Sequence, residues 1–236
     1  AVSGKPMTIM EEAMAAGKWE VPCPECGRPL EPVPTDEEKP LFCNSVYALT
    51  KKEQEEMSLN VGEAYDIPVT ALRFFNTYGP RQSLSNPYTG VCAIFMSRLK
   101  NNKPPVIYED GLQSRDFVSV RDIARACVTA MNDSRADYQV FNVGTGNPVT
   151  IRQVAETLAK ILGKDIPPDI TASFRKGDIR HCYADASKIE RLLRFKPEVS
   201  FEAGMKELAQ WVERAEAEDK FESAAGELAR RGLVKK

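Results

Sequence analysis

An α/β fold, with a largely parallel sheet joined to a smaller mixed α/β lobe, is predicted by two features of this 236-residue chain. From residue 45 onward, β-rich apolar runs alternate with stretches of helical periodicity, and strands separated by helices need crossovers that leave neighbouring strands parallel. The composition also suits a sizeable core: 42% of residues are hydrophobic and 28% charged, with a formal net charge of −2. Neither nucleic acid nor a membrane is an expected partner, since the charge is close to balanced and no apolar run approaches the ~20 residues of a membrane span. The first residues lack a basic stretch followed by an apolar one, so a cytoplasmic setting is expected.

The elements follow from local patterns. Thr8 as cap, Glu11 three residues later and Gly17 as stop predict a helix near residues 8–16. The stretch from Val21 to Pro40 holds Pro22, Pro24, Pro29, Pro32, Pro34 and Pro40, which rules out continuous helix and predicts an ordered loop. It leads into a long helix at about 45–64. A strand at 68–75 breaks at Gly79-Pro80, and a long loop to Tyr88 precedes a helix at about 90–101. Short strands near 105–108 and 116–119, a helix at 120–132, a strand at 138–143 and a helix at 150–162 complete the alternation. From Glu202 the pattern is helical again. The tail from Glu213 to Lys236 is dominated by Glu, Ala, Lys and Arg and reads as a solvated helix or frayed end.

Six cysteines in a chain of this length do not make a disulfide framework. Cys43, Cys92, Cys127 and Cys182 stand singly and are expected to be reduced. Cys23-Pro24-Glu25-Cys26-Gly27 has the spacing of half a tetrahedral zinc site, but no second knuckle follows, and the one histidine, His181, lies far away beside Cys182 in an apparent strand. The expectation is an inert thiol pair in a surface insert, with no metal.

Tyr47 and Lys51 stand four residues apart at the head of the long helix, which puts both side chains on one face. An ammonium one turn from a phenol favours the phenolate, the form that can take a proton from a substrate hydroxyl. Taken alone, the spacing also suits an ordinary amphipathic surface pair.

Further motifs follow in order. They are Arg73-Phe74-Phe75-Asn76-Thr77-Tyr78-Gly79-Pro80-Arg81, Gln113-Ser114-Arg115-Asp116-Phe117-Val118, Phe141-Asn142-Val143-Gly144-Thr145-Gly146, Arg175-Lys176-Gly177-Asp178 and Tyr183-Ala184-Asp185. Over roughly residues 41–212 this series resembles the extended short-chain dehydrogenases/reductases, and more narrowly their NAD-dependent nucleotide-sugar epimerases and dehydratases. The Cys-Pro-x-Cys-Gly insert and the run from Tyr78 to Gly90 look most like dTDP-L-rhamnose 4-epimerases.

The resemblance implies the C-terminal part of a Rossmann-like parallel sheet with a substrate-binding lobe. Residues 1–80 would be the remainder of the dinucleotide-binding domain, with its insert at 20–40, followed by a lobe over 81–212 and a charged tail over 213–236. The Gly-x-x-Gly-x-x-Gly turn that opens such domains is not in the sequence, so the chain reads as lacking its N-terminal cofactor motif. Ser3 does not sit in the motif of the family's catalytic Ser/Thr, and Gly144-Thr145-Gly146 has Val149 where a third glycine would stand. The implied cofactor is NAD, met by Tyr47, Lys51 and Phe75, unless Phe75 is simply core. The implied chemistry is transient oxidation at carbon 4 of a dTDP- or UDP-hexose, with Tyr47 as base, rotation of the 4-keto sugar and return of the hydride to its other face. A nucleotide-sugar 4,6-dehydratase and a non-catalytic nucleotide-sugar-binding remnant are the alternatives. For the substrate, the resemblance implies Asn76, Arg81, Asn86, Val106, Tyr108, Arg115, Arg175 and Asp178, with Tyr88 in the same loop as Asn86. Arg115 and Arg175 would hold the diphosphate, unless each merely pairs with a neighbouring carboxylate, Asp116 or Asp178. A homodimer is expected, with Met57, Leu59 and Val61 of the long helix either as contact residues or as part of the core.

Overall fold

A computed structural model describes residues 11–84, 86, 90–175, 178–215, 219 and 221–235. Thr8, the cap expected for the first helix, lies outside the described residues, as do Ser3 and Tyr88. The first described helix is α1 (Glu11–Ala15). The proline-rich insert follows it as an ordered loop closed by two isolated β-bridges, Pro22 with Pro29 and Thr35 with Ala184.

The long helix α2 (Val46–Ala64) starts where the Ser45 side chain accepts the Ala48 amide. It ends before Asp66, which adopts a left-handed φ of 53°, and Pro68. The strand expected at 68–75 is split in two by a kink, giving β1 (Ala71–Phe74) and β2 (Asn76–Tyr78). The split matters because β1 pairs in parallel with β5 (Val140–Val143), whereas β2 pairs in parallel with β4 (Ser114–Ser119).

Between these strands lie α3 (Val91–Lys100), β3 (Val106–Ile107) and α4 (Val120–Met131), the last capped by Ser119. Then β6 (Pro148–Thr150) runs antiparallel to β4, and a reciprocal cap between Thr150 and Gln153 opens α5 (Ile151–Ile161). Three short strands come next: β7 (Asp169–Ile170), parallel to β3; β8 (Phe174–Arg175); and β9 (His181–Cys182), parallel to β4. The chain continues through α6 (Ser187–Leu193), α7 (Phe201–Arg214), α8 (Phe221–Arg230) and β10 (Val234–Lys235).

β4 divides the core. Successive strand residues point to opposite faces, so Phe117 and Val118 belong to different clusters. On the Phe117 side, Phe95, Met96 and Leu99 of α3, Leu158 of α5, and Met205 and Leu208 of α7 are fully buried. On the other side, Val118 meets Ile123 and Ala126 of α4, Phe141 and Val143 of β5, and Ile189 and Leu193 of α6.

The tail is more anchored than its composition suggests. Arg98 of α3 stacks on Phe221 with its guanidinium 4.7 Å from the ring centroid, and pairs with Asp219 and Glu222. β10 then runs antiparallel to β8, with Val234 opposite Arg175. Charge in this segment serves internal ion pairs as well as solvation, which composition alone does not distinguish.

Candidate functional site

The site is built around the carboxyl ends of the parallel strands, the edge of an α/β sheet where ligands bind. Arg73, near the end of β1, makes a two-toothed ion pair with Glu55 of α2, at 2.8 Å and 2.7 Å. Lys51 and Tyr47 precede Glu55 by one and two helical turns. At a rise of ~1.5 Å per residue they lie about 6 and 12 Å farther along the axis, toward the helix N-terminus and beyond the end of the strand.

Both side chains are exposed, Tyr47 at 72%, and the Lys51 ammonium stands 5.7 Å from the Tyr47 ring centroid. Lys51 also donates to Gln54 Oε1 at 3.1 Å, so it is held on the tyrosine's face of the helix. Phe75 and Asn76 sit half-buried at the kink between β1 and β2, and the Phe75 amide bonds the Val143 carbonyl at 3.1 Å.

A second group gathers around Asp178. Tyr108, following β3, carries the Arg175 guanidinium over its ring at 4.8 Å. The Asp178 amide bonds the Arg175 carbonyl at 3.3 Å, and the Asp178 carboxylate is an electrostatic neighbour of Arg115. Arg115 lies on β4 with Nη1 bonded to the main-chain carbonyls of Ser114 and Arg180. Burial pulls its guanidinium below the usual value, against the pull of Asp178. Val106 is half-buried on β3.

The two local ion pairs weighed from sequence do not form. Asp116 is fully buried and accepts the amides of Thr145, Gly146 and Ala184 together with the Thr145 hydroxyl. Among the described residues neither Arg115 nor Arg175 makes a salt bridge, and the buried Nε of Arg175 has no hydrogen-bond partner. Asp116 also accounts for the glycine turn. A Cβ at Gly144 would lie 2.6 Å from the Asp116 carboxylate and 2.6 Å from the Ala184 methyl, so glycine is required there. The amides of this turn therefore hold an internal carboxylate, the role a phosphate would otherwise take.

Arg81 and Asn86 are exposed in the loop after β2, and Arg81 adopts a left-handed φ of 71°. Among the described residues no hydrogen bond or ion pair joins Arg81 to the Tyr108–Arg175 group.

Sequence reading missed the residues that position this group. Arg180, nearly buried, binds Glu109 and Asp110 at 2.7 Å each and Glu20 at 2.7 Å. Burial works against the Asp110 carboxylate, yet the bonds from Arg180 and the Leu112 amide keep it below its usual range. Gln113 bonds the Tyr108 carbonyl at 2.8 Å, and Ser114 bonds His181, whose other ring nitrogen meets Glu20 at 3.2 Å. With Trp19 packed edge-on against Phe174, these contacts clamp the insert to the lobe. No local signal marks them, because Glu20 and Arg180 are distant in sequence and neither belongs to a spaced motif.

Comparison with known proteins bears on this arrangement. The model of the family described as GDP-mannose 4,6 dehydratase matches residues 27–208. The dTDP-L-rhamnose 4-epimerase of Burkholderia thailandensis is 35% identical over 199 residues, covering 84% of this chain and 53% of that protein. The UDP-glucose 4-epimerase of Thermotoga maritima, solved with UDP-glucose, superposes with a TM-score of 0.72 at 35% identity, covering 80% of this chain and 60% of that one. The UDP-glucuronic acid 4-epimerase of Bacillus cereus, solved with UDP-glucuronic acid and NAD, gives a TM-score of 0.70 at 27% identity, covering 78% and 57%. The chain thus spans about half the length of the relatives it matches.

Proposed function

This chain belongs to the GDP-mannose 4,6-dehydratase family of extended short-chain dehydrogenases/reductases, and from that premise we propose that it carries the proton-transfer pair and the substrate lobe of an NAD-dependent nucleotide-sugar 4-epimerase. The observation that carries the reading is the contrast among its arginines. Arg73, Arg98, Arg121, Arg135 and Arg180 all bind carboxylates. Among the described residues Arg115, an electrostatic neighbour of Asp178, and Arg175, stacked over the Tyr108 ring, make no such ion pair. Guanidiniums withdrawn from water without a carboxylate suit an anionic ligand that both can grip, such as a nucleoside diphosphate. Tyr108 and Val106 would face the base, Asp178 a ribose hydroxyl, and Asn76, Arg81 and Asn86 the sugar and phosphate region.

The residues present fit the nicotinamide end of NAD. Tyr47 and Lys51 offer a hydroxyl and an ammonium on one open helix face, with Phe75 near the strand end. The Gly144–Gly146 amides are unsuited to its pyrophosphate, because Asp116 already occupies them. NAD, when bound, supplies a hydride acceptor and donor. Tyr47 Oη takes the proton of the sugar 4-hydroxyl and later returns it, while Lys51 holds the phenol's surroundings positive and can bond the ribose. The arginines retain the diphosphate while the sugar turns.

Tyr47→Phe tests this in the polypeptide that carries the chain, supplied with NAD and dTDP- or UDP-hexoses. Inversion at carbon 4, followed by NMR, should slow by roughly 10²–10⁴-fold with KM nearly unchanged. Retention of more than about a tenth of the turnover would show that another group is the base. The family's dehydratase members make the competing outcome explicit, since water loss to a 4-keto-6-deoxy sugar would identify a dehydratase.

A further inference from the structure

The feature that this function leaves unused is the hairpin around Cys23 and Cys26. Its stem is a short antiparallel ladder: the Leu30 amide bonds the Val21 carbonyl at 2.8 Å, Pro22 bridges Pro29, and the Cys23 amide bonds the Arg28 carbonyl at 2.7 Å. At the tip the Gly27 amide returns to the Cys23 carbonyl at 2.9 Å, with Gly27 at a left-handed φ of 70° and open space around it. Both thiols are reduced; Cys26 is exposed and Cys23 half-buried.

We propose that this hairpin is half of a tetrathiolate site for a soft divalent cation of the zinc class, completed by the same hairpin of a second copy of the chain. Three observations support it. The turn folds a C-x-x-C spacing back on itself so that both sulfurs share the tip, the arrangement a tetrahedral thiolate site draws from each of its two halves. A dithiol used for redox exchange commonly sits at a helix start, whereas here α1 ends at Ala15 and α2 begins at Val46. Lastly, the remaining ligands must come from outside. All six cysteines and the histidine lie among the described residues, and among these no three His, Cys, Asp or Glu side chains gather as a metal site.

A second hairpin is the economical completion. Residues 24–29 are exposed, so nothing in the chain's own fold blocks a close approach. Each thiol releases its proton as its sulfur–metal bond forms, so about four protons leave per ion and no electron moves. Four thiolates around a dication leave a charge of about −2, which the Arg28 side chains, one per hairpin, stand ready to offset.

The test is a titration of the reduced, metal-free chain with Co²⁺ and then Zn²⁺, read by absorbance and by sedimentation. Expected are saturation near one ion per two chains, intense thiolate-to-cobalt charge transfer with tetrahedral ligand-field bands, and a doubling of mass relative to the metal-free form, whether that form is a monomer or already paired through α2. Zn²⁺ should bleach the cobalt spectrum. Cys23→Ser and Cys26→Ser should each abolish the spectrum and the doubling, while Cys43→Ser, with a separate half-buried thiol, should leave both intact. The proposal is overturned if cobalt gives no thiolate charge transfer at micromolar chain and metal, if one ion binds per chain without a change of mass, or if Cys43→Ser removes the spectrum as fully as Cys26→Ser. The wild-type spectrum decides the matter even where a variant fails to fold.

Discussion

The lobe around β4 and the helix α2 differ sharply in how they are held. Helices α3, α5 and α7 bury Phe95, Met96, Leu99, Leu158, Met205 and Leu208 completely. On α2, by contrast, Gly62 is the one fully buried position, while Val46, Tyr47, Met57 and Val61 are all more than half exposed. The helix that carries Tyr47 and Lys51 is tied to the sheet by the Arg73–Glu55 pair and by the close approach of Gly62 to Val69. The β4 side is thus a finished core, whereas α2 presents an open face. Exposed Met57 and Val61 suit the helix-pairing homodimer expected from the family resemblance, which we retain as a proposal.

Native-state hydrogen exchange gives the largest test of this contrast. Amides of α3 and α5 should exchange only through global unfolding, whereas those of α2 should open at lower cost. A gap of ~4 kcal/mol is expected, about a thousandfold in rate. Equal protection of α2 and α5 would remove the distinction between the two regions.

Mutation of the lobe's core comes next in size. A Cβ at Gly204 of α7 would sit 2.0 Å from the Tyr78 hydroxyl, which is buried without a hydrogen-bond partner. Burial also pushes that phenol well above its usual range, so ionisation offers no relief. Gly204→Ala should cost ~1–3 kcal/mol by overpacking, read as a lowered Tm. Gly226 of α8 has nothing within 4 Å, and Gly226→Ala should instead gain ~0.5–1 kcal/mol from helix propensity. A neutral Gly204→Ala would mean that the Tyr78 layer is looser than its burial implies.

Much of this division was legible in the sequence. The alternation of strands and helices, the bounds of α2, α3, α4 and α5, and the order of the motifs follow from periodicity, caps and spacing. The kink that splits β1 from β2 was not legible, because Ala71 to Tyr78 is one continuous β-rich run and pairing with two different partners decides where it bends. Nor was the role of Asp116, whose carboxylate fills the glycine turn from 29 residues away. Arg180 was invisible for the same reason, its partners being brought together only by the fold. The short strands β7 to β10 carry two residues each, too few for a period to show.

Ligand binding sharpens the contrast further. The chain by itself should bind dTDP or UDP more tightly than NAD, and NAD should bind more weakly than micromolar, since among the described residues no free phosphate-type turn is available on the α2 side. Arg115→Ala and Arg175→Ala should each weaken the nucleoside diphosphate by roughly ten- to a hundredfold, with lysine rescuing only partly. Calorimetry gives the affinities and thermal melting the control. If either variant loses stability yet binds as the parent does, that arginine belongs to the scaffold.

The smallest effect concerns the tie between the regions. Glu55→Gln leaves a hydrogen-bonding group of the same shape opposite Arg73 but removes the charge from a pair whose side chains are 22% and 15% exposed. Exposed ion pairs are worth ~0–1 kcal/mol and charge-assisted bonds ~1.5–3, so a half-buried pair that keeps one neutral bond should lose about 1 kcal/mol. Where that loss appears is more informative than its size. If α2 opens as a unit separate from the lobe, its amides should exchange about fivefold faster while those of α5 do not change. A uniform acceleration across both helices would show that α2 unfolds only together with the core. The exposed face would then be a matter of surface composition, and α2 would be as firmly held as the core around β4.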